Sequence, residues 1–173
     1  MNWFKQTLFK SKIWNSSIFG KNKRELGYWE GNIDRMCEWY EGTGDYYFPN
    51  PKEEEKEKNF DSRTNAILTY TTKWLNFASY LKNLNLDKEH FSGKSVADIG
   101  SGPLPSLLVF ENCTERYCVD HLNASYKDLG YPHDHYKGEV EFLNAKSEAI
   151  PLETNSLDGV ISVNALDHVD DFK

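Results

Sequence analysis

Two aspartates and two glycines define the chemistry this chain can do. In Ser95-Val96-Ala97-Asp98-Ile99-Gly100-Ser101-Gly102-Pro103 an apolar run passes through Asp98 into a tight glycine turn. Glycine has no Cβ and tolerates positive φ, so such a turn brings the backbone close to a ligand. Pro103-Leu104-Pro105 follows, where a phosphate-binding loop needs Lys and then Ser or Thr. Pro105 also stands where a dinucleotide fingerprint has its third glycine. A carboxylate aimed at the turn repels a pyrophosphate and suits a cation. Asp120 ends the next apolar run, twenty residues beyond Gly100. A carboxylate there can accept hydrogen bonds from both hydroxyls of a ribose. Either aspartate alone also reads as a helix cap. Together they favour a nucleoside that carries an ammonium and no phosphate, which describes S-adenosylmethionine.

Such residues need a sheet to hold them. From Ser95 onward, short apolar runs alternate with helical segments. Strands are expected at Val96–Ile99, Tyr117–Val119, Val140–Leu143 and Gly159–Val163. A crossover helix is expected at Ser106–Phe110, a second at Leu122–Leu129 stopped by Gly130 and Pro132, and another from Leu166. The alternation predicts parallel pairing with right-handed crossovers, a Rossmann-like α/β sheet with flanking helices. The pattern stops after the fourth strand, half the usual doubly wound sheet, and leaves Val160-Ile161-Ser162-Val163 on an edge that native proteins cover. That predicts residues 1–173 to be the front part of a longer protein, a sheet truncated after its fourth strand. Residues 92–173 are then the first half of a binding domain, and residues 1–91 a helical extension that covers it.

Within the extension, Trp29, Ile33, Met36, Cys37 and Tyr40 mark one face of a helix ended by Gly42 and Gly44. Ile67, Leu68, Thr71, Trp74, Leu75, Ala78 and Leu81 mark the stripe of another, capped by Asp61 or Ser62. Tyr46, Tyr47 and Phe48 read either as core or as the lining of a substrate pocket. Residues 52–58 are a charge run, a solvated linker or a helix start.

A net charge of −7 makes the chain a poor partner for nucleic acid. Residues 1–24 differ, with Lys5, Lys10, Lys12, Lys21, Lys23 and Arg24 among large apolar residues and no acid. They form either an arm on their own domain or a helix with a weak contact to an anionic membrane surface. Three cysteines without metal-site spacing point to a reducing, cytoplasmic setting and to no metal site. His90, His121, His133 and His135 fall in loops and linkers and are expected at the surface; His133 and His135 flank Asp134 without a third metal ligand in view.

Residues 96–103, Cys118-Val119-Asp120-His121-Leu122, Ser147-Glu148-Ala149-Ile150-Pro151-Leu152 and Asn155-Ser156-Leu157-Asp158-Gly159-Val160 resemble the successive motifs of class I S-adenosylmethionine-dependent methyltransferases, in the type 11 methyltransferase-domain group. Asn164-Ala165-Leu166-Asp167-His168-Val169 fits that group's segment after the fourth strand. The resemblance spans about residues 94–171 and implies roles by position. Asp98, Gly100, Ser101 and Gly102 lie against the methionine part of S-adenosylmethionine. Asp120, with His121 beside it, holds the ribose. Ser147 and Glu148 flank the adenine, and Asn164 sits near the methyl donor. The sequence departs from the group at Lys146, where many members have Asp, and at Leu104, where a small residue is frequent. Asp167 and His168 either remove a proton from an acceptor hydroxyl or cap and charge the next helix. The resemblance implies methyl transfer to a small-molecule or sugar-type acceptor. The alternatives are a cofactor-binding module without a complete acceptor site, and an NAD-type oxidoreductase, which Asp98 and the missing third glycine disfavour.

Overall fold

Apolar runs too short for helices can be buried on both faces only within a covered parallel sheet, and the four runs lie in one. The computed structural model describes residues 18–77 and 79–163. Strands β1 (Ser95–Ile99), β2 (Glu115–Val119), β3 (Glu141–Leu143) and β4 (Gly159–Ile161) form a parallel sheet in the order β3-β2-β1-β4. Central β1 pairs with β2 from Ser95↔Glu115 to Ile99↔Val119, and with β4 at Ala97↔Val160. All five of its residues are buried. The order reverses between β1 and β4, so the crevice for a ligand lies beyond the carboxyl end of β1.

Alternation along the strands sorts the core into two faces. Val96, Cys118 and Ile161 pack with Phe91, Leu107, Val109 and Phe110 on one face; Ala97, Ile99 and Val119 lie on the other with Leu143, Ile150 and Leu157. Helices α1 (Ile18–Glu41), α2 (Ser62–Phe77) and α3 (Ser79–Leu84) precede the sheet, and α4 (Asn123–Asp128) follows β2. Asp61 caps α2 as expected, its Oδ1 accepting the backbone N–H of Arg63 and Thr64 at 3.1 Å each. Of the expected α2 stripe, Ala78 lies outside the described residues.

Three expectations are corrected. The crossover helix at Ser106–Phe110 is a single 3-10 turn, Ser106–Val109. Pro105 before it sits at ψ 63° and Phe110 after it is extended, so no α-helical turn can propagate. Leu75, Tyr80 and Leu81, from α2 and α3, join Leu107 and Val109 in covering that face of the sheet. The first helix starts at Ile18, so the last basic residues of 1–24 are its opening turns, while residues 1–17 lie outside the description. No helix among the described residues is long and apolar enough to cross a membrane. Finally, His133 is buried rather than superficial.

Helices α1 and α2 share a core with the segments that leave the sheet: Ile33, Met36, Trp39, Ile67 and Tyr70 pack with Leu104, Leu122, Tyr126 and Tyr131. Trp39 Nε1 donates to the carbonyls of Phe48 and Pro49 at 2.9 and 3.0 Å, which folds the chain after α1 back onto it.

Gly159 opens β4 where no side chain fits. A Cβ there would stand 2.5 Å from Phe91 Cε1, and Phe91 is wedged against Phe110 with ring centroids 4.9 Å apart. Overpacking of this kind costs about 1–3 kcal/mol. Gly159→Ala is therefore expected to lower the melting temperature by several degrees, measured by circular dichroism. An unchanged Tm would show that β4 can shift away from Phe91.

Candidate functional site

The turn after β1 has the backbone its glycines predict. Gly100 and Gly102 have φ of 71° and 64°, where L-residues are strained. The N–H groups of Gly100 and Ser101 both donate to the Val119 carbonyl, at 2.8 and 3.3 Å, so the turn folds over the end of β2. Ser101 Oγ donates to the Gly102 carbonyl at 3.1 Å.

Asp98 is fully buried, on the same face as Val96. Its Oδ2 accepts the Tyr80 hydroxyl of α3 at 2.8 Å. Its Oδ1 has no hydrogen-bond donor among the described residues. Burial raises the pKa to about 7; the Tyr80 hydrogen bond opposes this and the nearby Asp120 charge adds to it. Tyr80 is likewise pushed up by burial and by Asp98.

Asp120 closes the turn from the other side. Its Oδ2 accepts the Gly102 N–H at 3.1 Å and its Oδ1 the Leu122 N–H at 2.9 Å. Its own N–H donates to the Leu143 carbonyl at 3.1 Å, which ties β2's end to β3's. Burial raises its pKa against the pull of those two N–H groups. His121 is turned away: its Nε2 meets Asn22 Oδ1 of α1 at 3.1 Å, and its Nδ1 lies 3.6 Å from Asp120 Oδ1.

The family model described as "Methyltransferase domain" matches residues 97–173. Over those residues the chain is similar to methyltransferase domains. No curated protein and no solved structure matches the chain. Asp98, Gly100, Ser101, Gly102 and Asp120 come together around one turn. Ser147 and Glu148 lie in the loop after β3 and share a hydrogen bond, Ser147 Oγ to Glu148 Oε2 at 3.1 Å. Asn164, Asp167 and His168 lie outside the described residues.

Two residues that sequence reasoning did not connect to the turn touch it. Trp29 of α1 lies over Gly102, its Cζ2 3.2 Å from where a Cβ would stand. Asn22, Glu25 and the Trp29 carbonyl fix α1 there: Glu25 Oε1 accepts the Tyr126 hydroxyl at 2.8 Å and the Trp29 carbonyl that of Tyr131 at 3.0 Å. His133 stacks on Phe142 at 3.7 Å between centroids, and its Nε2 lies 3.1 Å from the Pro103 carbonyl. A carbonyl only accepts, so Nε2 carries the proton. Burial lowers the His133 pKa to about 4, so the ring is neutral. Local sequence gave no signal for either contact, because each joins elements distant in the chain.

Two concavities lie away from the turn. One of about 260 Å³ runs between Asn123, Lys127, His133 and Phe142, and one of about 490 Å³ runs along Arg116, Tyr117, Lys137 and Glu139 at the amino ends of β2 and β3. At the turn itself Trp29 occupies the space beside Gly102.

Gly102→Ala must adopt a left-handed backbone, at about 1–2 kcal/mol, and press on Trp29. The substitution is expected to lower Tm by several degrees, and by less in a Trp29→Ala background. Equal losses in both backgrounds would show that Trp29 does not bear on the turn.

Proposed function

We propose that the chain is an S-adenosylmethionine-dependent methyltransferase for a small-molecule or sugar-type acceptor. The observation that supports this best is the orphaned Oδ1 of buried Asp98 beneath the glycine turn. A buried acceptor without a donor is costly, and an ammonium supplies both the hydrogen bond and the countercharge. A pyrophosphate there would meet two buried carboxylates, Asp98 and Asp120, which disfavours a dinucleotide. Asp120 retains capacity for a ribose: each carboxylate oxygen has two lone pairs, and each accepts one backbone N–H. The residues present therefore fit the cofactor, which when bound supplies an electrophilic methyl group on a positive sulfur.

The chain's own residues have four tasks in this reading. Asp98 holds the ammonium end, Asp120 the ribose, and the glycine turn lets the backbone approach between them. Trp29 excludes water from the turn, which strengthens both charged contacts. Methyl transfer asks mainly that donor and nucleophile be held in line. The test is calorimetric titration of the full chain with S-adenosylhomocysteine, with NADH as control. Binding of the first alone is expected. Binding of NADH alone, or of neither by a folded chain, would overturn the assignment.

A further inference from the structure

Beside Trp29, a group of tyrosines and one arginine meet at the surface with more capacity than the fold uses. Tyr28, Asn32 and Arg35 lie at i, i+4 and i+7 on one face of α1. The Tyr46 hydroxyl donates to Asn32 Oδ1 at 2.9 Å, and Arg35 Nη1 approaches the same oxygen at 3.5 Å. The guanidinium and the tyrosine cluster therefore share one anchor. Tyr47 lies against Tyr46 at 4.6 Å between centroids, and Tyr28 against Trp29 at 5.2 Å. Tyr28 is 50% exposed and Tyr47 66% exposed, a large apolar area to leave in water. Tyr28 lies near enough to Tyr47 to raise its pKa. Arg35 is exposed and forms no ion pair among the described residues. Glu38, one turn on, reaches instead toward Gly44, its Oε2 3.1 Å from where a Cβ on that glycine would be.

We propose that Tyr28, Tyr47 and Arg35 bind the methyl acceptor, and that this acceptor is a ring-bearing carboxylate. The tyrosine faces give a ring a flat apolar support. The guanidinium presents a fork of N–H donors that matches a carboxylate and, apart from the long bond to Asn32, is unused. The site adjoins the glycine turn through Trp29, which touches Tyr28 on one side and Gly102 on the other. Calling the ligand the acceptor rests on the methyltransferase reading; the binding site itself rests on the cluster.

The ring can be aromatic or a sugar, and the test separates the two. The full chain is titrated with 4-hydroxybenzoate, with phenol and with glucuronate, and separately with S-adenosylhomocysteine. One of the two carboxylates is expected to bind roughly 10-fold or more tighter than phenol, since a charge-assisted hydrogen bond is the difference. Preference for 4-hydroxybenzoate assigns an aromatic acid, and preference for glucuronate a sugar acid. Arg35→Gln is expected to lose that advantage, Arg35→Lys to keep part of it, and Tyr47→Ala to weaken every ring probe. Both positions are exposed, so S-adenosylhomocysteine affinity in these variants serves as the fold control. Carboxylates that bind no better than phenol, or an Arg35→Gln protein that binds them as the parent does, would overturn the site. Loss of S-adenosylhomocysteine binding in the parent with carboxylate binding intact would instead overturn the cofactor reading and leave the site standing.

Discussion

Asp98→Asn is expected to bind S-adenosylhomocysteine roughly 10- to 100-fold more weakly and yet to be more stable than the parent above pH 7. The binding loss is that of one hydrogen bond between charged groups, about 1.5–3 kcal/mol. The stability gain follows from burial. In the unfolded chain Asp98 loses its proton near pH 3.9, whereas in the folded protein it keeps it up to about pH 7. Between those values the folded state binds a proton that the unfolded state has released. Stability therefore falls as pH rises through that interval, by at most about 1.4 kcal/mol per pH unit. It is constant, for this group, below the lower value and above the upper one. Asparagine carries no charge at any pH and keeps an oxygen for the Tyr80 hydroxyl, though its amide N–H groups replace the orphaned oxygen with orphaned donors costing about 1–3 kcal/mol. The net gain is thus about 1–3 kcal/mol at pH 8 and reverses toward pH 4. Thermal melts of both proteins from pH 4 to 8 test this. Parallel profiles would mean that Asp98 titrates like an exposed aspartate. The same protonation makes cofactor affinity in the parent fall as pH drops below about 7.

The position of Asp98 shows where sequence reading succeeded and where it stopped. The four strands and their parallel order follow from apolar runs between glycine, proline and polar segments, and β1 to β4 lie within two residues of their expected bounds. The glycine turn and the pairing of Asp98 with Asp120 around it were legible for the same reason, since strand ends carry them together. The partners of these groups were not. Alternation from Val96 does place Asp98 on the helical face, but nothing local says that Tyr80 meets it there or that Trp29 lies on Gly102. His133 reads as superficial because it falls in a loop; stacking on Phe142 and one hydrogen bond to Pro103 decide its burial. The 3-10 turn at Ser106–Val109 keeps the apolar contacts of the helix expected there, so hydrophobic pattern could not tell them apart. The tyrosine group around Arg35 lay between the core and pocket readings for a similar reason. Tyr46 and Phe48 are half-buried while Tyr47 is open to solvent, so that one stretch serves both.

Asp120→Ala is expected to have the largest combined effect, because one side chain holds the turn together and, in the proposed reading, also meets the ribose. Removing it strands the N–H groups of Gly102 and Leu122, both bonded to it within a buried environment. Each unsatisfied buried donor costs about 1–3 kcal/mol, so a loss of about 2–6 kcal/mol is expected. That is a large share of the 5–15 kcal/mol typical of a folded domain. Asp120→Asn separates the two roles. One amide oxygen can still accept from Leu122 or from Gly102, but the other position becomes a donor facing a donor. The asparagine protein should recover about half of the stability while binding S-adenosylhomocysteine roughly 10-fold or more weakly, because the charge that strengthens its bonds to ribose hydroxyls is gone. Adenosine, which carries the ribose without the ammonium, should lose affinity in Asp120→Asn and keep it in Asp98→Asn. If adenosine instead loses affinity equally in both, the two carboxylates act on the shape of the turn and not on separate ends of the ligand. If Asp120→Ala melts with the parent, water satisfies the turn and Asp120 is free to serve the ribose alone.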